Sequence, residues 1–201
     1  MTDRIIAKLL IGVALATSVG CSTTPTARFY ALSVQGGAVS HVKSALVVAV
    51  GPVEMPEYLD RPQIVTRVGE NRLSVDEFNR WGGRLDEEIV HVLTQRIGQR
   101  LGTQHVYGYP SRVSAQTDYR IVLALRRFDG NLGGEVVLDV AWSLIDDRSG
   151  QVVAIRQASY RQASGGADFD AYAATLSAVL ARLGDDLGAA LESLPAGGAA
   201  R

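Results

Sequence analysis

From Leu85 onward the apolar residues recur at intervals of three and four. Leu85, Ile89, Val92, Leu93, Ile97 and Leu101 make one stripe, and the spacing predicts an amphipathic helix over residues 84–101. Asp86, Glu87 and Glu88 fall in its first turn and Arg96 and Arg100 near its end, which suits the helix dipole, and Gly102 is the expected stop. A second stripe runs through Phe169, Tyr172, Leu176, Val179, Leu180, Leu183, Leu187 and Leu191. It starts at Asp168 or at the Gly-Ala before it, and Pro195 closes it. Between the stripes the period drops to two. Tyr119, Ile121, Leu123 and Leu125 alternate with mixed residues, as do Val136, Leu138, Val140, Trp142 and Leu144, and residues 152–160 close the series. Asp129-Gly130-Asn131 with Gly133-Gly134, and residues 146–150, have hairpin chemistry, so these three strands form an antiparallel meander.

Upstream, Phe29, Tyr30 and Leu32 suit a first strand, and residues 45–53 are almost continuously apolar, as in a strand covered on both faces. Residues 104–107 suit a short strand. Between 51 and 81 the pattern is a junction. Pro52, Pro56 and Pro62 frame Tyr58, Leu59, Asp60 and Arg61, which disfavours helix and predicts a shaped loop. Residues 63–67 suit a strand, Gly69-Glu70-Asn71 a turn, and 72–75 an antiparallel return. Ser74 and Glu77 have capping-box spacing, which predicts a short helical turn through Trp81 before Gly82-Gly83 interrupts it. Two striped helices and a mostly antiparallel sheet predict a two-layer α+β domain with both helices on one face. No repeat or second domain is visible.

The first twenty residues have a different character. Arg4 and Lys8 lead into the apolar run 9–16, which ends at Ser18-Val19-Gly20-Cys21. This reads as a secretory signal over residues 1–20, since the run is roughly half of the ~20 residues a spanning helix needs. Small residues before the single cysteine resemble a bacterial lipobox, which makes Cys21 the acylated amino terminus; the alternative is an ordinary signal with an unpaired cysteine. Residue 22 is serine, and by the same resemblance the absence of an aspartate points to the periplasmic face of the outer membrane. Acylation at about 0.8 kcal/mol per buried CH2 would hold the protein there. Residues 21–27 read as a lipidated tether, 28–194 as the folded domain and 195–201 as a tail. The chain of 201 residues carries a formal charge of −1, and nothing in that balance indicates a nucleic-acid partner.

The inventory for catalysis is poor. His41, His91 and His105 lack metal-site spacing, no nucleophile elbow is present, and the glycine groups lack a Walker lysine or a dinucleotide fingerprint, so no metal, cofactor or enzymatic activity is expected. Asp86, Glu87 and Glu88 diverge around a helix start and read as solvated. Arg120, Arg126 and Arg127 read as strand-surface decoration. What remains is the proline-framed loop with Arg80 and Trp81. Either Tyr58, Leu59, Asp60, Arg61, Arg80 and Trp81 form a partner-binding surface, or Tyr58, Leu59 and Trp81 turn inward and the loop covers the core.

RFYALS after Cys21, VGPVEMPEYLDRPQIVTR from Val50, NRLSVDEFNRW from Asn71 and RLDEEIVHVLTQRIGQRLG after it resemble the auxiliary lipoproteins of ABC-type intermembrane transport systems, the paraquat-inducible (PqiC-like) type. The resemblance spans nearly the whole mature chain. It implies a non-enzymatic subunit that supports envelope integrity and docks, at the outer membrane, the periplasmic tunnel built by MCE-domain proteins. A cyclic tunnel suits a docking partner that is itself a ring, and hence a homo-oligomer. The competing expectation is a lipid-binding shuttle with an apolar cavity between sheet and helices.

Overall fold

The computed structural model describes residues 25–34, 36, 44–110 and 116–194. The signal segment, Cys21, His41, Pro195 and the tail lie outside the described residues. Among those described, eight strands are followed along the chain: β1 (Arg28–Tyr30), β2 (Val48–Glu54), β3 (Gln63–Gly69), β4 (Arg72–Trp81), β5 (Val106–Gly108), β6 (Tyr119–Gly130), β7 (Glu135–Asp146) and β8 (Gln151–Ala163). Two helices, α1 (Leu85–Leu101) and α2 (Phe169–Glu192), complete the α+β architecture.

The strands form two sheets rather than one. The larger has the order β5-β2-β6-β7-β8 and the smaller β1-β4-β3. The meander β6-β7-β8 is antiparallel throughout, as its turns require, whereas β2 runs parallel to both β5 and β6. Parallel neighbours suit its near-continuous apolar sequence, and Val48, Ala49 and Val50 are all buried. Both helices lie on the larger sheet, α1 over β2 and β5 and α2 over β7 and β8. Their stripes are the predicted ones: every named apolar position of α1 is buried, and all but Phe169 in α2. Gly102 ends α1 in the left-handed conformation at φ 61, and the Asp168 carboxylate caps α2 by accepting from Ala171 N–H at 2.8 Å. Arg96, placed near the end of α1 for the helix dipole, is buried and pairs with Asp185 of α2 at 2.7 Å, packed over Gly184. Glu88 is not simply solvated either: its two carboxylate oxygens accept from Leu32 N–H and Gly83 N–H at 2.8 and 3.0 Å.

One element differs in kind from its prediction. No helical turn starts at Ser74; β4 runs unbroken to Trp81. Its backbone finds ladder partners on both sides, antiparallel β3 and parallel β1, and that outweighs a single local cap. The cap chemistry is used differently. Asp76 accepts from Phe78 N–H, Asn79 N–H and the Asn79 amide at 2.8–2.9 Å, close to where the β3–β4 register shifts.

Candidate docking site

After β2 the chain leaves the sheet through Met55 and Pro56 and makes a short 3-10 turn, Glu57–Leu59. The loop's backbone satisfies itself locally. Leu59 N–H donates to Pro56 C=O at 2.9 Å, Asp60 N–H to Glu57 C=O at 3.1 Å and Arg61 N–H to Leu59 C=O at 2.8 Å. At its exit Pro62 C=O accepts from Trp81 N–H at 2.7 Å, so the loop is latched to the end of β4.

A buried carboxylate holds the loop from below. Asp129, at the end of β6, has no exposed surface. It accepts from Tyr58 OH at 2.7 Å, from both Nε and Nη2 of Arg67 at 2.9 Å, and from Arg127 Nε at 2.8 Å. Burial pushes its pKa up, but the hydrogen bonds from Arg67, Tyr58 and Arg127 outweigh burial and hold the carboxyl below its usual range. The Tyr58 phenol is pushed up, first by burial and then by its bond to Asp129. Beside it, Tyr172 of α2 donates to Val65 C=O and accepts from Gly130 N–H, each at 3.0 Å, and burial raises its phenol too. Gly130 permits this approach, because a Cβ there would sit 2.3 Å from Glu135 C=O. Loop, β3, β6 and α2 thus meet at one polar cluster in which each Asp129 oxygen accepts two hydrogen bonds.

The structure divides the six sequence-predicted residues. Leu59 and Trp81 are buried, at 4% and 5% exposure, and belong to the core. Tyr58 is half-buried with its hydroxyl turned inward onto Asp129. Asp60 and Arg61 are exposed at the tip of the loop, and Arg80 is half-buried on β4. Asp129, Arg67, Arg127 and Tyr172 were missed as a set. Asp129 reads as a turn residue and Tyr172 as one position in a stripe, and apart from Arg127, two residues from Asp129, their partners lie 42 to 107 residues away in sequence. A carboxylate directly after Phe128 on an apolar strand was the single local hint.

Elsewhere, a groove of about 470 Å3 runs between β8 and α2, with Trp142, Ala158, Ala189 and Ala190 among its walls and Arg156 and Asp186 at its polar side. Among the described residues no group of three or more His, Cys, Asp or Glu could hold a metal, and no helix is long and apolar enough to cross a membrane.

The model of the ABC-type transport auxiliary lipoprotein component family matches residues 30–188. No curated protein matches the chain. Solved structures with the same fold include an uncharacterised protein, 17% identical with a TM-score of 0.69, covering 83% of this chain and 99% of that one. A Xanthomonas campestris protein is 18% identical with a TM-score of 0.69, covering 81% of this chain and 93% of that one.

Proposed function

Because the chain belongs to the ABC-type transport auxiliary lipoprotein component family, we propose that it is the lipid-anchored outer-membrane subunit of an MCE-type intermembrane lipid transport system. The family is one of transport components rather than enzymes, and the proposed role is mechanical. Acyl chains on Cys21 hold the domain at the periplasmic leaflet, residues 22–27 give it reach, and the folded domain captures the end of the periplasmic tunnel.

The observation that carries the docking assignment is the Asp129 cluster, which holds the 55–62 loop rigid with Asp60 and Arg61 exposed at its tip. A preorganised loop loses little entropy on binding, and arginine is enriched in interface hot spots. Arg80, half-buried on β4 opposite Phe29, is not assigned to this surface. Leu59 and Trp81 serve it from beneath, as the packing that fixes its shape. Reversing both charges, Asp60→Arg with Arg61→Glu, is expected to reduce pull-down of the MCE-domain partner by about tenfold or more, since rearranged charge pairs at an interface cost upwards of ~1.4 kcal/mol. Undiminished pull-down would remove this loop from the interface. A ring of identical subunits needs a heterologous contact, so native mass spectrometry of the lipidated protein should show a closed oligomer.

The second reading is a lipid shuttle, for which the β8–α2 groove, lined by Arg156, Gln157 and Asp186 as well as by Trp142 and alanines, is the candidate site. A shuttle retains phospholipid through gentle purification and a docking adaptor does not, which the same mass spectra distinguish.

A further inference from the structure

The smaller sheet carries an aromatic that the fold spends no packing on. In β1, Tyr30 points inward: it is buried, its ring lies 6.0 Å from that of Phe169, and its hydroxyl donates to Asn79 at 2.8 Å. Phe29 therefore points outward, and it is 68% exposed. A one-residue slip of β1 would expose Tyr30 and break its bond to Asn79, so the outward phenylalanine is enforced. Directly across the ladder Phe29 faces Arg80, which in turn faces Gln63 of β3. Phe78, two positions before Arg80 and so on the same face, is exposed as well, whereas Arg28 alternates onto the face of Tyr30. Among the described residues Arg80 has no carboxylate partner, and its Nε is buried without a hydrogen bond.

This patch lies where the tether enters the domain. Six residues, 22–27, separate Cys21 from Arg28, so over the intervening Cα steps the thiol lies within roughly 25 Å of β1 when the chain is fully extended and about 15 Å away as a coil. Resting on the anchor reading above, we propose that the outer face of β1 and β4, Phe29 with Phe78 and Arg80, seats the domain on an anionic lipid surface. Two aromatics beside an arginine suit the headgroup boundary: the rings enter the acyl edge while the guanidinium group meets phosphate. The anchor then fixes an orientation as well as a distance. The domain then rests on its smaller sheet, and β8, an edge strand of the larger sheet, is outside the seating face.

The test uses lipidated protein in vesicles of phosphatidylethanolamine and phosphatidylglycerol with dibrominated acyl chains. Trp81 and Trp142 are buried and set a constant background. A side chain about 5–10 Å deep meets the bromines, so Phe29→Trp should lose roughly half or more of its added emission. Ile155→Trp, on β8 at 73% exposure, should lose none. Both sites are exposed, so neither change threatens folding. Loss at both sites, or at neither while mass spectrometry shows Cys21 acylated, overturns the seating. Crosslinking of residue 29 to a protein instead of lipid also overturns it, assigning the face to a partner. A Cys21 without acyl chains fails the anchor reading itself, visibly and separately, and the seating falls with it.

Discussion

Asp129 shows how a single residue organises this domain. A carboxylate without solvent exposure costs several kcal/mol unless it is paired, and here two guanidinium groups and a phenol pair it completely. Replacing it with asparagine leaves Arg67 and Arg127 facing a neutral group, and should cost about 3–5 kcal/mol in urea unfolding. The pH dependence follows from the direction of its shift. A carboxyl held below its ordinary pKa contributes stability above the unfolded value, near 3.9, and loses it as pH falls through the lower folded value. Wild-type stability should therefore drop below about pH 4, and Asp129→Asn should flatten that limb, with other depressed acids such as Asp86 keeping a residual slope. Tyr172→Phe strands Gly130 N–H and Val65 C=O in the core and should cost about 1–3 kcal/mol. Activity of the loop can then be separated from its support: Asp60 and Arg61 variants should leave stability unchanged.

At the scale of elements, β4 is where local and long-range preferences conflict. Ser74 and Glu77 have the spacing of a helix start, yet the strand wins because β1 and β3 satisfy its backbone on both edges. The two arrangements differ measurably. Ser74 has no capping partner in a strand and is exposed, so Ser74→Ala should change stability by no more than about 0.5 kcal/mol. Asp76, which accepts from Phe78 and Asn79, should cost about 1 kcal/mol when changed to alanine. A cap-sized loss at Ser74 would restore the helical turn. The helices and the meander show no such conflict. Their periods of 3.6 and 2 agree with what their neighbours need, which is why residues 85–101, 119–163 and 169–192 were legible from pattern, while the division into two sheets was not. Strand pairing between β2 and β6, or β1 and β4, joins segments far apart in sequence, and no local signal marks which edge meets which.

On the scale of the whole molecule, the proposed function rests on placement. A lipid at Cys21, a short tether and a rigid domain set how far from the membrane, and in which orientation, a surface is presented. Cys21→Ser should shift the protein from the membrane pellet to the soluble fraction without altering the fold, because residue 21 lies ahead of the first strand. If that variant still sediments with membranes, the anchor is elsewhere. The docking loop and the Phe29 face both flank β4, so partner contact and bilayer contact would both adjoin the same strand.

What could be read directly from the chain was whatever depends on neighbours within a turn or a strand: helix stripes, hairpins, the signal-like leader, the proline-framed loop and the lack of catalytic motifs. The same residues also carried the family resemblance. Folding settled the rest. It turned Leu59 and Trp81 inward, left Asp60 and Arg61 at the tip, and gathered Arg67, Arg127 and Tyr172 around Asp129. Those outcomes depend on which surfaces meet once distant segments pack. A tyrosine or tryptophan has the same composition signature whether it plugs a core or faces a partner, so its role follows from packing alone.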